Sequence, residues 1–202
     1  MTILLINAHP DYQNPARATN QLEAHALSVL HRLRPGATVE RLNLYDPALA
    51  MPELTGAVMA DPASVAAQQD ALIAQWRRAE LILILSPLHN FNVTAKFKTY
   101  VDNILIANKT FKYTDDGSVG LLDGTQTVAY IQTSGSDYSK DLRYVNADLA
   151  PLYVRTILNF MGLSKMTLIR AQGLDLIEND KQAIIEATKR DITAYLSGLA
   201  SR

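Results

Sequence analysis

Three stretches of this 202-residue chain collect groups that suit ligand binding better than core packing. The first is Asn7-Ala8-His9-Pro10 followed by Asn14-Pro15-Ala16-Arg17-Ala18-Thr19-Asn20. It runs from an apolar segment into a helix start, where unpaired N–H groups and the positive dipole end favour an anion such as phosphate. Arg17 is unhelpful to the bare dipole but sensible beside a bound dianion, and Thr19 adds a hydroxyl donor. An ordinary capped helix with a solvated Arg17 accounts for this stretch equally well. The second, Ser86-Pro87-Leu88-His89-Asn90-Phe91-Asn92-Val93-Thr94, offers backbone amides and an aromatic against which a planar heteroaromatic ring can lie. The bland alternative makes His89 a solvated loop residue and Phe91 a core anchor. The third, Thr133-Ser134-Gly135-Ser136-Asp137-Tyr138-Ser139, is rich in hydroxyls, and Gly135 permits close backbone approach. Successive amides there can hold a partly negative ring edge, although such residues also make ordinary turns.

The elements that must position these stretches follow from hydrophobic periodicity. Continuous apolar runs at Ile3–Ile6 and Leu81–Leu85, without polar alternation, indicate strands covered on both faces. Thr38–Leu44, Thr127–Ile131 and Lys165–Arg170 complete five strands. Leu22, Ala26, Val29, Leu30 and Leu33 mark one helix face, with Asn14-Pro15 as the expected N-cap and first turn and Pro35-Gly36 as the stop. Asp61-Pro62 is expected to open a second helix carrying Val65, Leu72, Ile73 and Trp76. A third carries Phe97, Tyr100, Val101, Ile104 and Leu105. Asp148 is expected to cap a fourth through Met161, and residues 178–199 form a closing helix. Residues 108–125, with Gly117, Gly120 and Gly124, form an extended excursion, read as a hairpin. Strands alternating with helices imply a single α/β domain over 1–202, a doubly wound five-stranded parallel sheet with helices on both faces. Ligands of such sheets bind beyond the carboxyl ends of the strands, where all three stretches fall.

Composition removes several classes. Lys plus Arg total 19 against 20 acids, a net charge of −1, which leaves no broad basic face for nucleic acid. The absence of cysteine excludes disulfides, thiolate metal sites and thiol nucleophiles. Histidines 9, 25, 31 and 89 have no metal-binding spacing, and His25 and His31 read as surface residues of a helix. No Gly-rich dinucleotide fingerprint, phosphate-loop lysine or nucleophile elbow occurs. The start carries no basic leader, and no apolar run approaches the ~20 residues of a membrane span. A cytoplasmic protein is expected.

With these residues in place, the chain resembles the FMN-dependent NADH:quinone oxidoreductase and azoreductase family, which has a flavodoxin-like fold. The resemblance rests on Pro87-Leu88-His89-Asn90-Phe91-Asn92, on Lys98, Tyr100 and Asp102 in the next helix, and on Thr110-Phe111-Lys112-Tyr113 with Gly117, Gly120 and Leu121. Asn159-Phe160-Met161-Gly162 and Gly173 extend it to near residue 175. It implies a phosphate loop at His9, Arg17, Ala18 and Thr19. It implies a ring-binding loop at Pro87, Leu88, His89, Asn90 and Phe91, whose amides face the reactive edge of the flavin. Thr133, Ser134, Gly135 and Ser136 would hold the pyrimidine edge. The family's Ser-x-Ser is replaced here by Arg17-Ala18-Thr19, and His9-Pro10 resembles FAD-using quinone reductases. The long C-terminal extension of those relatives is missing, so FMN is expected over FAD.

The implied activity is ping-pong hydride transfer from NADH or NADPH to quinones, and to azo compounds. Tyr138 is the candidate catalytic residue, a phenol able to donate a hydrogen bond to the acceptor carbonyl; a stacking rim aromatic is the alternative. The resemblance implies a homodimer whose partner completes the acceptor pocket; the excursion over Lys109–Leu122, with exposed-looking Phe111 and Tyr113, either supplies that cover or folds back on its own sheet. Two rival readings are a flavodoxin-type electron carrier, which the near-neutral charge disfavours, and a regulatory subunit on the same fold.

Overall fold

A computed structural model describes residues 1–143 and 145–200. Tyr144, Ser201 and Arg202, which the single-domain expectation includes, lie outside the described residues. In chain order the elements are β1 (Thr2–Asn7), α1 (Ala18–Leu33), β2 (Thr38–Asn43), α2 (Gly56–Ala60), α3 (Ala66–Arg78), β3 (Leu81–Pro87) and α4 (Ala95–Ile104). There follow β4 (Phe111–Thr114), β5 (Gly117–Gly120), β6 (Thr127–Thr133), α5 (Leu149–Met161), β7 (Met166–Ala171) and α6 (Lys181–Ala200). Five strands pair in parallel in the order β2-β1-β3-β6-β7, and β4-β5 form a separate antiparallel hairpin. The chain leaves β1 toward β2 on one side and leaves β3 toward β6 on the other. The crevice at that reversal opens at the carboxyl ends of β1 and β3.

Alternate residues of the central strands feed two cores. Leu4, Ile6, Ile82, Ile84 and Tyr130 face α3, α4 and α5. Ile3, Leu5, Leu83, Ala129 and Ile131 face α1 and α6. Apolar demand on both faces is why these strands read as unbroken runs rather than alternating ones. On the first side, buried Trp76 Nε1 donates to the Tyr100 hydroxyl at 2.7 Å, locking α3 to α4. No helix among the described residues is long and apolar enough to cross a membrane.

The structure corrects several expectations. Asn14 does not cap α1. Its Oδ1 accepts from the Ala16 amide at 3.0 Å, a local turn around Pro15 that delays the helix to Ala18 and leaves Arg17 in the extended N-cap position without a side-chain cap. Asp148 precedes α5 but makes no cap, because its Oδ2 is taken by Arg170 of β7. The segment from Asp61 opens as a 3-10 turn, Pro62–Val65, with Ser64 Oγ bonded to the Asp61 carbonyl, before α3 begins. Leu105 lies just past α4. His25 is half-buried and bonded to Thr193 of α6, whereas His31 is exposed. Phe111 is buried, its ring centroid 4.6 Å from Phe160, so the hairpin folds back on α5 and leaves Tyr113 and Val119 exposed.

Replacing Tyr100 by Phe leaves the buried Trp76 N–H without its acceptor. Such an orphaned donor costs about 1–3 kcal/mol. Urea unfolding should show a lower midpoint with unchanged slope; an unchanged midpoint contradicts this account of the α3–α4 contact.

Candidate functional site

Each site loop begins one residue beyond a strand, and each is tied to a neighbouring strand end by one backbone bond. The Ala8 amide donates to the Leu85 carbonyl at 2.8 Å, Leu88 to Thr133 at 2.8 Å, and Ser134 to Ala171 at 2.9 Å. Side chains close the triangle. The hydroxyls of Thr19 and Thr133 hydrogen-bond at 2.8 Å across 114 positions of sequence, and Thr94 Oγ1 donates to the Ala8 carbonyl at 3.0 Å. The Phe91 and Tyr138 rings meet edge to face, centroids 6.2 Å apart. Three stretches distant in the chain are thus one assembly.

The first loop is held from below by buried polar groups. Asn7 Nδ2 donates to Asn20 Oδ1 at 2.9 Å and to Glu23 Oε2 at 2.7 Å, and Arg41 forks onto the same Glu23 carboxylate. Asn20 Nδ2 donates to the carbonyls of Asp11 and Asn14, fixing the curve of the chain into α1. Above it, Asp11 Oδ2 accepts from Asn14 Nδ2 and from Arg17 Nε, both at 2.9 Å. These donors, with Arg17 beside them, hold the Asp11 carboxyl below the usual range. His9 Nδ1 accepts the Asp11 amide at 2.9 Å, which assigns its ring proton to Nε2. Burial, and then the Arg17 charge, lower the His9 pKa, with Asp11 opposing. A neutral donor imidazole, a guanidinium and an uncapped helix start converge here.

The second loop is a two-residue hairpin. His89 and Asn92 exchange both backbone bonds, at 2.9 and 3.0 Å. Asn90 and Phe91 between them have φ of +47° and +67°. Side chains rarely adopt this left-handed region, and for a bulky Phe it stores strain that persists at ligand sites. His89, Asn90 and Phe91 are exposed, so Phe91 is not a core anchor. Pro87 and Leu88 are half-buried at the strand end.

In the third loop, the carbonyls of Ser134, Gly135 and Ser136 accept from the amides of Leu174, Asp175 and Gly173. A Cβ on Gly135 would lie 2.5 Å from Asp175 Oδ2, so a larger residue there requires the exposed Asp175 carboxylate to move. With its carbonyls committed to one side, this turn is free to present N–H groups on the other. Tyr138 is buried, 8% exposed, and its amide donates to Gln172 Oε1 at 3.1 Å. Every expected site residue therefore lies on one of three mutually bonded loops or on the end of the strand or helix that adjoins it, Ala18 and Thr19 opening α1, Pro87 ending β3 and Thr133 ending β6. Two supports escaped sequence reading. Glu23 was detectable as an acid on the apolar face of α1 beside Leu22 and Ala26. The 172–175 segment carried only Gly173 as a signal.

A concavity of about 700 Å³ lies at the opposite edge of the sheet, lined by Gln126, Lys165 and Tyr195 among others. It is remote from the carboxyl ends where parallel sheets bind ligands. Among the described residues, no group of His, Asp and Glu could hold a metal ion.

Comparison with known proteins agrees with this geometry. A family model described as flavodoxin-like fold matches residues 1–196. The chain is 37% identical to an FMN-dependent NADH:quinone oxidoreductase of Lactiplantibacillus plantarum, covering 95% of each, and 33% identical to one of Bacillus cereus, covering 98% of each. A solved FMN-dependent NADH-azoreductase from Bacillus anthracis, in complex with FMN, is 30% identical with a TM-score of 0.90, covering 98% of this chain and 99% of that one. The fold and its open carboxyl edge define a flavodoxin-like protein. Within that class, the chain belongs to the family of FMN-dependent NADH:quinone oxidoreductases.

The depressed His9 pKa has a direct readout. The imidazole should be neutral at pH 7, carry its proton on Nε2, and titrate below 6.5 in a ¹⁵N NMR pH series. A doubly protonated ring at pH 7 contradicts the assigned Asp11–His9 contact.

Proposed function

We propose that this chain is an FMN-dependent oxidoreductase that takes two electrons from NADH and passes them to a quinone, azo compounds being a second acceptor class. The observation that carries the proposal is the bonded triangle of loops at the carboxyl edge, in a chain whose relatives bear this activity in their names. The residues fit the cofactor. An uncapped α1 start with Arg17, Thr19 and the His9 Nε2–H suits a phosphate dianion. The amides around Leu88–Phe91 and Gly135–Ser136 suit the edges of a planar ring, and the strained Asn90-Phe91 turn keeps its backbone facing outward.

FMN, when bound, would supply the two-electron hydride chemistry. The chain supplies binding and electrostatics. Amides at Gly135 and Ser136 would stabilise negative charge gathering at the nearby ring edge, the logic of an oxyanion hole. The Tyr138 phenol would hydrogen-bond the acceptor carbonyl, with Phe91 bracing its ring. Donor and acceptor use one opening in turn, hence ping-pong kinetics. NADH as the donor points to the cytoplasm. Purified full-length chain should be yellow; NADH should bleach its visible absorbance anaerobically, and a quinone should restore it. Initial rates should give parallel double-reciprocal lines. Arg17→Ala should weaken FMN binding about tenfold, the scale of one charge-assisted hydrogen bond. A chain that stays colourless in excess FMN would overturn the proposal, and undiminished affinity in Arg17→Ala would remove the phosphate loop from it.

A second copy of the chain would complete the opening. Leu149 and Leu152 of α5 and Tyr113 and Val119 of the hairpin packed on it are exposed apolar side chains, Tyr113 at 73% and Leu152 at 61%. A grouping of this kind is characteristic of an association surface. Sedimentation equilibrium should return a dimer of the 22.3 kDa chain; a monomer at micromolar concentration contradicts it.

A further inference from the structure

The connection from Asp137 to Asp148 leaves the third loop, carries Tyr138 and returns to start α5. Two side chains at the end of β7 hold it at both ends. Arg170 Nη2 donates to Asp148 Oδ2 at the α5 end, with Arg170 and Asp148 only 19% and 21% exposed. Gln172, two residues on, grips the other end with its whole amide. Its Oε1 accepts the Tyr138 amide at 3.1 Å. Its Nε2 donates to Ser139 Oγ at 3.2 Å and reaches Asp137 Oδ1 at 3.4 Å. Arg170 Nη1 lies 3.4 Å from the same Oε1, joining both grips through one guanidinium. Gly173, at φ +73°, turns the chain directly after Gln172 and donates its own amide to the Ser136 carbonyl at 3.2 Å.

A side-chain amide fits this position. It must accept from an N–H on one side while donating to two oxygens on the other, and Gln offers both functions on a single planar head. A carboxylate in its place could not donate to Asp137 or Ser139, and an apolar residue could do neither. The Tyr138 backbone is thereby held where its ring meets Phe91 edge to face. Phe91 belongs to the strained turn of the ring-binding loop. The chain of contacts runs from Asp148 through Arg170 and Gln172 to Tyr138 and Phe91.

We propose that Gln172 is the positioning residue for Tyr138, setting the phenol for the acceptor half of the reaction; this rests on the proposed function above. Gln172 touches neither donor nor acceptor. Its effect passes through the Tyr138 backbone and so falls on the quinone step. The NADH step and FMN affinity depend on amides of the three loops, whose own backbone bonds, Leu88 to Thr133, Ser134 to Ala171 and Gly173 to Ser136, do not use the Gln172 side chain. Preorganisation of this kind is sensitive, because a displacement of about 1 Å can cost on the order of a hundredfold in rate.

The test compares wild-type chain with Gln172→Leu, which keeps bulk and loses every hydrogen bond, and Gln172→Glu, which keeps an oxygen for the Tyr138 amide. In flavin-free protein, NMR should detect Phe91–Tyr138 ring contacts in wild type and Gln172→Glu but not in Gln172→Leu. In the FMN-loaded protein, stopped-flow should show Gln172→Leu slowed at least fivefold in reoxidation by quinone. Its reduction by NADH and its FMN affinity should stay within twofold of wild type, and Gln172→Glu should lie between. Ring contacts that persist in Gln172→Leu overturn the proposal, as does their loss with an unchanged quinone step. Parallel losses in both half-reactions and in FMN affinity assign Gln172 a general structural role and also overturn it. A wild-type chain that binds no FMN fails the proposed function instead, and the ring-contact measurement still decides whether Gln172 places Tyr138.

Discussion

The carboxyl edge of the sheet depends on one constraint, that buried backbone groups must be paired even where a strand ends. The parallel ladder does not stop at the last strand residues. The Leu44 amide reaches Asn7, Ala8 reaches Leu85, Leu88 reaches Thr133, and Ser134 reaches Ala171. Each connection therefore starts from a position set by its neighbour. Because β1 and β3 carry the chain away in opposite directions, the first two loops splay and leave an open crevice between them. The third loop is completed by a fourth segment, residues 173–175, which satisfies its carbonyls. With those carbonyls taken, the turn can offer N–H groups to an electron-rich ligand.

Side chains convert that backbone arrangement into a shaped site. Beneath the first loop, Glu23 is buried yet fully engaged by Asn7 and Arg41. Removing one member of such a pairing leaves a buried charge, so the network favours one conformation of the entry to α1. Above it, Arg17 is paired with Asp11, and both are about half exposed. An exposed pair of this kind contributes little stability, and Arg17 can be redirected to an incoming anion at small cost. The strain at Asn90 and Phe91 is of the opposite kind, a local cost that the bonded loop sustains.

Much of this was legible in the residues. Unbroken apolar runs at Ile3–Ile6 and Leu81–Leu85 identified covered strands, since parallel strands lack a solvent face. The three loops followed from topology, because binding at such sheets is confined to strand ends. Local competition was harder to read. Asn14 and Asp148 both have the chemistry of helix caps, yet one bonds its own turn and the other is claimed by Arg170 from a distant strand. Composition cannot say which of two available partners a short polar side chain takes. Tyr138 and Phe91 were named separately, but the residue that accepts the Tyr138 amide, Gln172, lies 34 residues beyond it and carries no motif. Phe111 misled in the same way, its burial coming from α5 rather than from its own segment.

The central claim is that three loops at one sheet edge hold a single flavin nucleotide. Amide chemical-shift mapping of the ¹⁵N-labelled chain during titration with FMN tests it most directly. Saturable shifts at one equivalent should concentrate at residues 9–19, 88–91 and 133–138. Shifts confined to the opposite edge, around Gln126, Lys165 and Tyr195, would contradict it.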